Sequence, residues 1–112
     1  MTKIPPTHPG DVLLEDFMKP LELSANALSI ALRVPASRVS EITKAQRAVS
    51  AETALRLARY FGTTADFWVR LQAKYDVHIA KDVSAKAIER DVRPRDAAIP
   101  PGGARRSNRT VT

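Results

Sequence analysis

Apolar residues recur at helical spacing along most of this chain, and the breaks fall at proline, glycine and small polar residues. Val12, Leu13 and Phe17, with Asp16 among them, outline a first helix. Pro9 suits its first helical position, and Pro20 forbids its continuation. Ser24 offers an N-cap to a second helix that carries Leu28, Ala31 and Leu32 as its inward stripe and ends near Leu32. Residues 33–35 allow only a tight turn, after which Pro35 opens a third helix with Val39 and Ile42 inward. Residues 44–49 read as a loop. Ser50 caps a fourth helix whose apolar residues are Ala54, Leu55, Leu57, Ala58 and Phe61, and Gly62 ends it. A fifth begins at Thr63 or Thr64 and presents Phe67, Trp68, Leu71 and Tyr75 on one face.

The expected fold class is therefore all-α, a five-helix domain over residues 9–79. Residues 1–8, with two prolines and no apolar period, read as a flexible arm. Residues 80–90 allow a short sixth helix with Val83, Ala87 and Ile88 as a thin stripe. Residues 91–112 read as a disordered basic tail, because Pro94, Pro100, Pro101, Gly102, Gly103, Arg105, Arg106 and Arg109 offer little to bury. A chain of 112 residues, 44% apolar, supports one core and hardly two.

Several functions are disfavoured at once. No run approaches the ~18 consecutive apolar residues of a membrane span. The first residues lack an apolar signal core and cysteine is absent, so a cytoplasmic address without disulfides is expected. His8 and His78 are far apart and no metal-ligand spacing is present, and the lone Gly10 makes no phosphate loop. The chain is expected to be no enzyme, to hold no metal or cofactor, and to take no small-molecule substrate.

Charge redirects attention to the middle of the chain. The net charge is +6, and it is segregated. Residues 8–32 hold one lysine against four carboxylates, a net −3. Residues 33–59 hold six basic against two acidic residues, a net +4. A basic stripe confined to one part of a small domain is the footprint expected of phosphate contact.

The inward residues Leu28, Leu32, Val34, Val39 and Ile42 set two short helices face to face across a tight turn, which is how a helix-turn-helix packs. Residues 24–44 form that motif, and residues 35–47 are expected to meet DNA. With Val39 inward and 100° per residue, Ser37, Ser40, Glu41 and Lys44 point outward and Arg38 lies on the flank. The serines can hydrogen-bond bases or phosphates. Arg38 can fork onto guanine, anchor a phosphate, or pair with Glu41 three residues on. For Glu41 that pair is the favoured reading, since a carboxylate facing phosphates is repelled. Lys44 and Arg47 suit phosphates. Ser24, Pro35, Ala36 and Gln46 complete the expected DNA-facing set. Phe67, Trp68, Leu71 and Tyr75 are expected to close the bundle or a dimer interface.

Several ordered motifs over residues 8–77 carry a resemblance. They are His8-Pro9-Gly10-Asp11, Val34-Pro35-Ala36-Ser37-Arg38-Val39-Ser40-Glu41-Ile42, Ala51-Glu52-Thr53-Ala54-Leu55-Arg56-Leu57-Ala58, Phe67-Trp68 and Leu71-Gln72-Ala73-Lys74-Tyr75-Asp76. In these the chain resembles the HigA-type antitoxins, a branch of the lambda-repressor-like (XRE) helix-turn-helix proteins. The resemblance implies a dimeric repressor that binds an inverted-repeat operator in its own promoter. It also implies a protein partner, a RelE-like HigB toxin that cleaves mRNA on the ribosome. A standalone regulator of the same family, without a toxin, is the alternative. The acidic first helix, with Glu15 and Asp16, is the expected toxin surface. The chain departs from the family pattern at three places. Arg33 replaces the usual turn glycine, so either it takes the left-handed conformation at a cost of about 1 kcal/mol or the turn differs slightly. Ser29 replaces a small alanine, and Lys44-Ala45 replaces Asn-Gly.

Overall fold

The computed structural model describes residues 7–95 and contains helices but no strand among them. The chain divides after Asp82 into two units, of which residues 7–82 and 83–95 are described. Helix α1 (Pro9–Val12) continues as a π-helical stretch, Leu13–Met18. It is followed by α2 (Ala25–Leu32), α3 (Ala36–Thr43), α4 (Ala51–Phe61) and α5 (Ala65–Asp91).

Pro20 gives a physical reason for the wide turn that ends the first helix. It has no N–H to donate, and its ring would press on the carbonyl four residues earlier in an α-helix. The chain instead closes i→i−5 bonds, Lys19 N–H to Leu14 O and Leu23 N–H to Met18 O, both at 2.9 Å. Pro9 opens the helix as expected. His8, which the sequence places in the flexible arm, is buried and caps α1 by accepting the Gly10 N–H on Nδ1 at 2.8 Å. Arm residues 1–6 and tail residues 96–112 lie outside the described residues.

Four chain reversals share one device. A residue within the four positions after the helix takes a left-handed conformation, and the last free carbonyls of the helix accept from backbone N–H groups of the turn. Glu22, Arg33, Ala45 and Gly62 occupy these positions, at φ 53°, 62°, 59° and 76°. Only the last is glycine. At α2, Arg33 N–H reaches Ile30 O at 3.1 Å and Val34 N–H reaches Ser29 O at 3.0 Å. At α3, Ala45 N–H reaches Ile42 O at 3.0 Å and Gln46 N–H reaches Glu41 O at 2.8 Å.

The core is built from Leu13, Met18, Leu28, Leu32, Val39, Ile42, Val49, Ala54, Leu57 and Trp68. The inward expectation for Ala31 is corrected, and α4 shows the same exchange. Ala31 is exposed while Ser29 is buried, and Leu55 is exposed while Thr53 is buried. In both cases a short polar side chain facing inward finds a hydrogen-bond partner there, which removes the desolvation penalty. Ser29 Oγ donates to the Ala36 carbonyl at 3.3 Å, tying α2 to the first turn of α3.

The separate sixth helix is also corrected. Residues 80–90 belong to α5, a single 27-residue helix with no glycine or proline inside it. The apolar stripe fades near residue 80 although nothing in the backbone chemistry stops the helix there. Within the second unit Val83 and Ile88 are exposed.

Candidate nucleic-acid interface

The interface is positioned by its caps. Ser24 Oγ accepts the Ala27 N–H at 3.0 Å and starts α2; the left-handed Arg33 ends α2. Pro35 follows in extended backbone at the N-cap of α3, one place earlier than the first helical position expected of it. Val39 and Ile42 then bury one side of α3 at 1% exposure each, which fixes its rotation. Pro35, Ala36, Ser37, Lys44, Gln46 and Arg47 are exposed, with Ser40 and Glu41 half-buried beside them. Ser37, Ser40, Glu41 and Lys44 share one face of α3 by helical spacing.

Two side chains depart from the expected arrangement. Glu41 pairs with Arg47, whose Nε lies 2.7 Å from Glu41 Oε1, and not with Arg38. The left-handed Ala45 folds the following loop back over α3 and brings Arg47 above the carboxylate. Arg38 lies half-buried and turns toward the first turn of α4, where its Nη1 donates to Thr53 Oγ1 at 3.3 Å. Its Nε is buried and makes no hydrogen bond.

Three supporting residues escaped the sequence reading. Thr53 accepts from both Arg38 and Ser50 while Ser50 Oγ caps α4 by accepting the Thr53 N–H at 3.2 Å. Gln72, buried on α5, accepts the Val49 N–H at 2.8 Å and donates to Asp76 at 2.9 Å, fixing the loop that leaves α3. His8 packs edge-on against Tyr75 with ring centres 4.8 Å apart, and burial lowers its imidazole pKa while Asp11 and Asp76 oppose the shift. For Thr53 and Gln72 the available signal was a polar residue interrupting an otherwise apolar inward stripe; for His8, at the N-cap of α1, periodicity offered none.

The four aromatic and leucine positions of α5 do not act together. Trp68 is fully buried, donates Nε1–H to Thr63 Oγ1 at 2.9 Å and packs on Phe17 at 5.1 Å between ring centres. It is a core residue, which for Trp68 is the bundle-closing alternative of the two expected. Phe67 is exposed, and Leu71 and Tyr75 are half-buried. Leu71 lines a groove of about 810 Å³ together with Val12, Val77, Lys74 and Lys81. Among the described residues no three His, Cys, Asp or Glu could hold a metal ion, and no helix is long and apolar enough to cross a membrane.

Residues 14–68 match the helix-turn-helix family. Virulence-associated protein I of Dichelobacter nodosus is 48% identical over 79 residues, 70% of this chain and 73% of that protein. The structure of an addiction module antidote protein of a HigA family from Coxiella burnetii superposes with a TM-score of 0.76 at 44% identity, covering 81% of this chain and 99% of that one. Antitoxin HigA of Pseudomonas aeruginosa, solved with the higBA promoter, superposes with a TM-score of 0.78 at 41% identity, covering 81% and 99%.

Proposed function

Because the chain belongs to the HigA family of helix-turn-helix antitoxins, we propose that it is a sequence-specific repressor of its own operon that also binds and neutralises a RelE-like toxin. One observation carries the DNA-binding half. Helix α3 is locked by Val39 and Ile42 and leaves small or polar residues, Ala36, Ser37 and Ser40, on the side that enters a groove. Short side chains let the helix approach the base edges, and Lys44 and Arg47 at its exit suit the flanking phosphates. Arg38, Gln46, Ser24 and Pro35 border the same surface, and Glu41 holds Arg47 within it.

The test is fluorescence anisotropy of the protein against its own promoter fragment at two salt concentrations, beside an Arg38→Ala, Lys44→Ala variant. Wild type binds with a steep salt slope and the variant binds weakly. A flat salt response, or no binding by wild type, overturns the reading.

An operator read as an inverted repeat calls for a homodimer whose recognition helices sit about one DNA turn (~34 Å) apart. Exposed Phe67, with Leu71 and Tyr75 beside it on α5, supplies the contact. Phe67→Asp then shifts the mass measured by sedimentation from dimer to monomer. The toxin surface is the acidic first helix, where Asp11, Glu15 and Asp16 are exposed, because a nuclease that works on the ribosome is itself basic. Charge reversal at Glu15 and Asp16 abolishes toxin capture; unchanged capture sinks this assignment. Both partners place the protein in the cytoplasm.

A further inference from the structure

Among the described residues two arginines bury an Nε that makes no hydrogen bond, Arg38 and Arg56. Their guanidinium groups are otherwise treated differently. Arg56 donates Nη1 to the Leu32 carbonyl at 2.8 Å and Nη2 to the Glu52 carboxylate at 3.1 Å, so its charge is matched within the fold. Arg38 donates Nη1 to a neutral hydroxyl, that of Thr53, and forms no ion pair among the described residues. A partly desolvated cation with spare N–H groups is unfavourable unless an anion completes it.

Thr53 is itself 2% exposed and held on a second side, since Ser50 Oγ lies 3.1 Å from its Oγ1. The side chain of Arg38 is thereby drawn sideways toward α4. A guanine contact needs the guanidinium extended into the groove; a phosphate on the groove's edge does not. We propose that Arg38 is a phosphate anchor of the operator complex and that Thr53, steadied by Ser50, is its positioning residue. This rests on the DNA-binding reading above.

The experiment is anisotropy of the full chain against its promoter duplex across a salt series, repeated with duplexes carrying single base-pair substitutions. Arg38→Ala lowers the slope of log K against log salt by about 0.9 per subunit, and its loss of affinity is equal on every duplex. Thr53→Val weakens binding about fivefold, the worth of one hydrogen bond, Thr53→Ser restores it, and Thr53→Val adds nothing in an Arg38→Ala background. Arg38→Lys, which keeps the charge without the fork, retains the slope at reduced affinity and carries the test if Thr53→Val fails to fold. An unchanged slope for Arg38→Ala, a loss confined to one base pair, or an equal effect of Thr53→Val in both backgrounds overturns the proposal while wild type still binds. Failure of wild type to bind the promoter overturns the DNA-binding reading instead.

Discussion

Gly10, in the first turn of α1, faces the carbonyl of Ile42 in the last turn of α3 so closely that a methyl group there would overlap it. The carbonyl carbon of Ile42 would stand only 2.7 Å from that methyl group. Glycine is thus required by close approach of two backbones, at the point where the recognition helix ends. Gly10→Ala forces α1 away from α3, and overpacking against backbone is expected to destabilise the fold by about 3 kcal/mol. Urea denaturation shows this as a lower midpoint with an unchanged slope. A wild-type midpoint would mean that α1 can shift without loss.

His8 makes the same corner sensitive to pH. Its Nδ1 accepts the Gly10 N–H, which only the unprotonated nitrogen can do. Burial, opposed by Asp11 and Asp76, lowers its pKa below the ordinary value of 6.5. The unfolded chain therefore takes up the proton first as pH falls, and stability depends on pH in that window. The contribution of His8 is complete above pH 6.5 and is lost as pH falls from there through the folded pKa. Thermal melts from about pH 8 to about pH 5 on wild type and His8→Asn check this, since an asparagine retains an N-cap acceptor without titrating. The two profiles converge on the acid side; parallel profiles would remove His8 from the account.

The helices and most of the core were legible because burial repeats with the helical period. Leu28, Val39, Ile42 and Leu57 fall on stripes that leave no other placement. What periodicity cannot carry is a partner distant in sequence. Gln72 is buried because Val49, 23 residues away, needs an acceptor, and Thr53 is buried because Arg38 needs one. Ala31 was misplaced, and Leu55 is exposed, for the converse reason: an apolar residue beside a satisfied polar one loses the contest for the inward position. Within the interface, the exposed surface of α3 followed from Val39 and Ile42 alone. The pairing of Glu41 depended on the left-handed Ala45, which sets the path of the loop and so the reach of Arg47.

Three of the turns that follow helices hold a left-handed residue that carries a Cβ, Glu22, Arg33 and Ala45, and each is strained by about 1 kcal/mol relative to glycine. Ala45→Gly relieves the strain but frees the unfolded chain, so the net gain is no more than about 0.5 kcal/mol. Arg33→Gly gains a similar amount, because the exposed Arg33 side chain has no hydrogen bond to lose among the described residues. Chemical denaturation of each single variant reads the gain as a raised midpoint. A lowered midpoint would show that the side chain, and not the backbone, decides the turn.

Glu41 supplies a test in which stability and binding separate. Its pair with Arg47 is on the surface, with the two side chains 36% and 45% exposed, and such pairs contribute little to folding, about 0 to 1 kcal/mol. Glu41→Gln keeps the shape of the side chain and removes a negative charge that faces the polyanion. It also frees Arg47 for a phosphate. Melting should hardly change, whereas promoter affinity at low salt should rise on the order of tenfold, with a steeper salt slope from the added cation. A different result is informative about the groove itself. If Glu41→Gln weakens binding, and does so through one base pair of the half-site, the carboxylate is accepting a hydrogen bond from a cytosine amino group. Its ion pair with Arg47 then serves to aim the carboxylate, and the roles of the two residues are reversed.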